Sequence, residues 1–67
     1  MTADRVNVSW DADKRKWLVR IEVGAEVIRR HFDEPKDADE QRLRTAAEQT
    51  TRDEGYQVEL TNVSVQR

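Results

Sequence analysis

Sixty-seven residues with 36% hydrophobic content make at most one small domain, and such a chain buries only about 60% of its unfolded surface. Charged residues supply 39% of the chain, yet the formal net charge is −2, so the charges are interspersed rather than gathered into a polyanion-binding tail. The absence of cysteine and the single histidine, His31, exclude thiol chemistry and conventional zinc sites, and no apolar run approaches the roughly 20 residues that cross a bilayer. MTADR at the start lacks the apolar segment of a signal peptide, and a cysteine-free chain fits a reducing, cytoplasmic setting.

Through most of the run from Val6 to Phe32 apolar residues recur at every second position, the period of half-buried strands. The first strand sets Val6, Val8 and Trp10 on one face, with Arg5, Asn7 and Ser9 on the other. After the polar connection DADKRK, the second sets Trp17, Val19, Ile21 and Val23 on one face. Val23-Gly24-Ala25-Glu26 reads as a two-residue hairpin, with Gly24 supplying the positive φ of a type II′ turn.

Symmetric pairing about the two loops predicts the rows Val6–Ile21–Ile28 and Trp10–Trp17–Phe32, matches that pin the register. The middle row, Val8–Val19–Arg30, puts an arginine on the apolar face. Either Arg30 snorkels at the edge or a bulge turns it outward.

The segment from Asp33 to Gln41 begins a helix, with Pro35 suited to a first turn and Asp37 with Glu40 at capping-box spacing. Its expected inward stripe is Leu43, Ala46, Ala47 and Thr50, and Gly55 ends it in a left-handed conformation. Tyr56, Val58 and Leu60 follow as an extended lead-in. Apolar parity changes across Thr61-Asn62, which places a last strand at about Val63 to Gln66. The expected fold is thus a single α+β domain over residues 1–67, of order β-β-β-α-β, with one helix on one sheet face. The last strand pairs beside the first, parallel to it, or beside the third.

The face away from the helix carries Arg5, Asn7, Ser9, Leu18, Arg20, Glu22, Val27, Arg29 and His31. Arg20 and Arg29 fall opposite each other, a like-charge pair costing a few tenths of a kcal/mol. Arg5, Arg20, Arg29 and His31 are therefore the candidate partner surface. Long arginines solvating an exposed face and pairing with Glu22 give the simpler account. Charge also divides along the chain. Residues 1–32 hold seven Lys/Arg and five Asp/Glu (+2), residues 33–55 four and eight (−4). Acidic residues at a helix start, Asp37, Asp39 and Glu40 among them, account for much of that.

Trp10 and Trp17 beside Phe32 suggest core rather than a base-stacking platform. His31, with no evident carboxylate or hydroxyl partner, has no catalytic setting. Asp11-Ala12-Asp13 lacks the glycine and bidentate glutamate of a calcium loop. Gly24 and Gly55 alone build no phosphate-cradling loop, and no nucleophile–base set is evident. No cofactor, metal or activity of its own is expected.

Trp17, Val19, Arg20, Gly24, Arg29, Arg30, Phe32 and Ala38 follow a W-x-V-R … G … R-R-x-F … A rhythm. In it the stretch from Lys16 to Asp39 resembles the arm-type DNA-binding domains at the N-terminus of tyrosine recombinases. The resemblance covers about a third of the chain and implies a three-stranded sheet that enters a major groove. The acidic overall charge, a helix that is not basic and the last strand depart from that pattern.

Three functional expectations result. The first is a small non-enzymatic protein-interaction module, self-associating or binding another protein through its open sheet face or an edge strand. The second is nucleic-acid binding through Arg20, Arg29, Arg5 and Lys14 to Lys16. The third is an accessory subunit of an enzyme whose partner supplies the chemistry.

Overall fold

The computed structural model describes residues 1–66, the Leu60 side chain excepted. In chain order it holds β1 (Arg5–Asp11), β2 (Lys16–Val23), β3 (Glu26–Phe32), α1 (Glu40–Asp53), a short 3-10 turn (Leu60–Asn62) and β4 (Val63–Gln66). The strands form one mixed sheet in the order β3-β2-β1-β4, with β1, β2 and β3 as an antiparallel meander. β4 runs parallel to β1, pairing Val63 with Val6 and Val65 with Val8. Beside β3 the same strand would have met Arg30 in its middle row, so apolar matching selects β1.

Register between the first three strands follows the alternation. Val8 pairs with Val19 and Trp10 with Trp17, while Ile21 pairs with Ile28, Arg20 with Arg29 and Trp17 with Phe32. Gly24 has φ +59 and Ala25 a negative φ, the sign pattern of a type II′ turn. Asp4 closes the hairpin from outside, its Oδ2 accepting the Gly24 amide at 2.7 Å. The first connection is tighter than its polar sequence suggests. Asp11 Oδ1 accepts the amides of Asp13 (3.1 Å) and Lys14 (3.3 Å), and Arg15 closes the loop at φ 55.

The core lies between the sheet and α1, where Val6, Val8, Trp17, Val19, Ile21, Leu43 and Ala47 are fully buried. Trp17 is 1% exposed, whereas Trp10 and Phe32 are only partly buried and flank the core rather than fill it. The two indoles meet edge to face, centroids 5.3 Å apart at 72°.

Two expectations for the helix need correction. Its N-cap is Asp39, whose carboxylate accepts the Arg42 amide at 2.8 Å, so Asp37 is not the cap and Pro35 is not in the first turn. The reason is tertiary. The Pro35 carbonyl accepts both the Trp17 indole N–H (3.0 Å) and the Ala38 amide (3.0 Å), which holds residues 33–39 as a strap crossing from the β3 edge. The inward row is also different: Leu43, Ala47 and Thr51 are buried, while Ala46 and Thr50 are half-buried. A helix that packs most closely against β4 and touches all four strands points an i, i+4, i+8 ridge at the sheet. Thr51 is tolerated there because its hydroxyl donates to the Ala47 carbonyl at 2.8 Å.

Gly55, at φ +91, ends α1 as expected. Tyr56 N–H bonds the Thr51 carbonyl (3.1 Å) and Gly55 N–H the Arg52 carbonyl (2.9 Å), which together make a Schellman motif. Gln57 then forms a parallel bridge with Thr2, and the 3-10 turn absorbs the parity change before β4.

Candidate functional site

The helix covers one sheet face and leaves the other open. The open face is laid out in three rows by the register: Arg5–Glu22–Val27, Asn7–Arg20–Arg29 and Ser9–Leu18–His31. Strand alternation alone puts these side chains outward. Ser64 of β4 extends the middle row, since it pairs with Asn7.

Arg20 and Arg29 stand directly opposite each other at the centre of this face. Among the described residues neither forms an ion pair, and the Arg20 Nε is buried without an acceptor. Glu22, the carboxylate expected to neutralise them, instead accepts from Asn7 Nδ2 at 2.9 Å. The centre of the face therefore carries two uncompensated guanidiniums. Val27, 38% exposed, and half-buried Leu18 give it some apolar surface.

Arg5 shares the face but sits in a different row, opposite Glu22, and is separated from Arg29. His31 is not alone, contrary to expectation. Its Nε2 lies 3.0 Å from Asp11 Oδ2, a contact that crosses over β2 to join β3 to β1. With Asp11 ionised the ring nitrogen is the donor. The bond to His31 is the main reason the Asp11 carboxyl titrates below its ordinary 3.8, helped by the Lys14 and Asp13 amides. From sequence Asn7 was read only as a member of the open face and Asp11 only as part of a polar loop. Register shows which face each occupies, but not that a side chain reaches diagonally across an intervening strand.

Lys14 and Arg15 occupy the exposed loop at one end of the sheet, and Lys16 Nζ lies 3.7 Å from Asp33 Oδ1. These cations do not join the Arg20–Arg29 centre. Arg30, the residue left open by alternation, stays in register opposite Val19, with no bulge. It snorkels off the covered face around the β3 edge, where Nη2 meets Glu54 Oε1 at 2.9 Å. A shallow groove of about 460 Å³ at one end of the sheet is lined by Ser9, Trp10, Trp17, Lys36 and Gln66. Lys36 Nζ sits 5.9 Å from the Trp10 ring centroid, so that ring does not offer a bare stacking face.

Among the described residues no cluster of three His, Cys, Asp or Glu is placed to hold a metal ion, and no helix is long and apolar enough to cross a membrane. Fold and surface together define a small α+β domain with one sheet face covered by a helix and the other open, centred on a pair of arginines. No protein-family model, no curated protein and no solved structure matches the chain, the arm-type recombinase domains included.

Proposed function

We propose that this protein is a non-catalytic interaction module that docks an acidic segment of a partner protein on its open sheet face. The observation that carries this reading is the Arg20–Arg29 pair: two opposed guanidiniums with no ion-pair partner, one with its Nε buried and unsatisfied. A buried donor without an acceptor costs about 1–3 kcal/mol, and a partner carboxylate that neutralises the like-charge pair lets Arg20 turn that Nε outward to an acceptor. Leu18 and Val27 beside the arginines favour a peptide that brings apolar as well as acidic side chains. A reducing, cytoplasmic setting belongs to the same proposal, supported by a chain with no cysteine.

The test is an NMR titration that follows the Arg20 and Arg29 Nε–Hε signals. The probes are a mixed glutamate–leucine peptide, duplex DNA and single-stranded RNA, at low salt. The reading expects shifts at Arg20, Arg29, Leu18 and Val27 with the peptide alone, abolished in Arg20→Gln/Arg29→Gln. Binding of DNA or RNA with a steep salt slope would transfer the face to nucleic acid. Silence toward every probe removes the proposal.

A further inference from the structure

The second open feature is the β3 edge, and it concerns backbone rather than the arginine side chains. A two-residue hairpin loop is closed by a hydrogen-bonded pair. Val23 and Glu26 are that pair, so Ile28, Arg30 and Phe32 also turn their N–H and C=O groups toward β2. The alternate residues Val27, Arg29 and His31 turn theirs to the open edge. One of these groups shows that the edge is open to a donor: the Arg29 carbonyl accepts from Arg30 Nη1, folded back onto it, at 2.7 Å. β4, at the opposite edge, is shorter, running Val63–Gln66 against Glu26–Phe32 for β3. β3 thus presents the longer unpaired edge of the sheet.

We infer that β3 is a homodimerisation seam, at which a second copy of the chain adds antiparallel with its two-fold axis at Ile28. This register opposes Ile28 to itself and Glu26 to Arg30 of the other copy, twice by symmetry. Val27 and Arg29, whose backbone groups already face the edge, exchange hydrogen bonds with Arg29 and Val27 of the other copy. An isologous, two-fold contact results, and the sheet becomes continuous across both copies. Competing registers are worse. Centring on Arg29 sets two arginines face to face and Ile28 against a charge; centring on Arg30 repeats the fault; centring on Val27 shortens the overlap. In the free chain Arg30 caps the Arg29 carbonyl, and on pairing the Val27 amide of the other copy takes its place. An edge contact of this size gives a weak dimer, in the micromolar to millimolar range.

The chain has no cysteine, so single cysteine substitutions report the register cleanly. Ile28→Cys is expected to crosslink rapidly on oxidation, because a non-hydrogen-bonded antiparallel pair brings the two Cα atoms to about 4.5 Å. Ala25→Cys, opposite His31 in this register, is not. Sedimentation of the unmodified chain should show a monomer–dimer equilibrium. Glu26→Arg should weaken it about tenfold, and Glu26→Arg/Arg30→Glu should restore it. Circular dichroism checks that each variant is folded. A chain that stays monomeric into the millimolar range overturns the inference. So does an Ile28→Cys variant that crosslinks no faster than Ala25→Cys, or a dimer indifferent to Glu26→Arg. None of these outcomes bears on acidic-peptide binding at Arg20 and Arg29.

Discussion

The indole N–H of Trp17 donates to the Pro35 carbonyl at 3.0 Å, joining the floor of the core to the strap that leads into α1. Trp17 is fully buried, so water does not offer its N–H an alternative acceptor. The same carbonyl takes the Ala38 amide, so a single group organises the approach to the helix.

Trp17→Phe keeps an aromatic ring but removes the N–H and part of the buried volume. It should lower stability by about 1–3 kcal/mol, a large share for a domain of this size. Trp10→Phe, at a half-buried position with no such bond in view, should cost less than about 1 kcal/mol. Urea unfolding midpoints of the two variants give the comparison. Equal losses would mean that the Trp17–Pro35 bond contributes nothing.

Backbone conformation makes a second pair of predictions. Arg15 sits at φ 55, where a side chain is strained by about 1 kcal/mol, so Arg15→Gly should raise stability by about 0.5 kcal/mol after glycine's extra chain entropy is set against the relief. Gly55→Ala should lower it by about 1 kcal/mol. No atom lies within 4 Å of the added methyl at Gly55, so the loss is conformational rather than steric. Thermal melts of both variants suffice.

The Asp11–His31 contact predicts a pH dependence. Asp11 is held below its ordinary 3.8 when folded, so its contribution is fully present above that value. It is lost as pH falls through the lower folded value. Stability of the unmodified chain should therefore decline on acidification below about pH 4. In His31→Ala the Asp11 carboxyl should move back up toward 3.8, since the His31 bond is the largest cause of the shift. Carbon-13 NMR of the Asp11 carboxyl against pH reads this directly. An unchanged midpoint in His31→Ala would assign the shift to the loop amides alone.

Arg20 and Arg29 oppose each other with no ion-pair partner among the described residues, so relieving the repulsion should stabilise the sheet. Arg29→Gln is expected to gain a few tenths of a kcal/mol at low ionic strength, and the gain should shrink as salt screens the pair. Melting curves at low and high salt test both parts. A loss of stability would show that the arginines already support each other through packing.

Legibility differed sharply between residues. Trp10–Trp17, Val8–Val19 and Ile21–Ile28 were readable because a two-residue period fixes which side chains share the core face, and symmetric pairing about the two loops then sets the register. The outward placement of Arg5, Arg20, Arg29 and His31 follows from that parity. Gly24 and Gly55 were readable because each supplies a backbone conformation that other residues rarely adopt. Asp39 was not readable as the cap, because Asp37 offers equal local chemistry and only the Trp17–Pro35 bond decides between them. The Asp11–His31 contact was hidden for a similar reason: it reaches over β2 between strands that are not neighbours.

By itself, then, the sequence determined the strand faces, the register of the meander and the residues that end its turns and helix. These depend on periodicity and on local backbone preference, which are properties of short segments. Tertiary structure decided where α1 begins, that Leu43, Ala47 and Thr51 face inward, that β4 lies beside β1, and that Glu22 and Asp11 are engaged elsewhere. Those outcomes rest on contacts between segments far apart in the chain. There one acceptor is shared among several donors, and packing selects among options that are locally equivalent. The charge left uncompensated at Arg20 and Arg29 belongs to this second group.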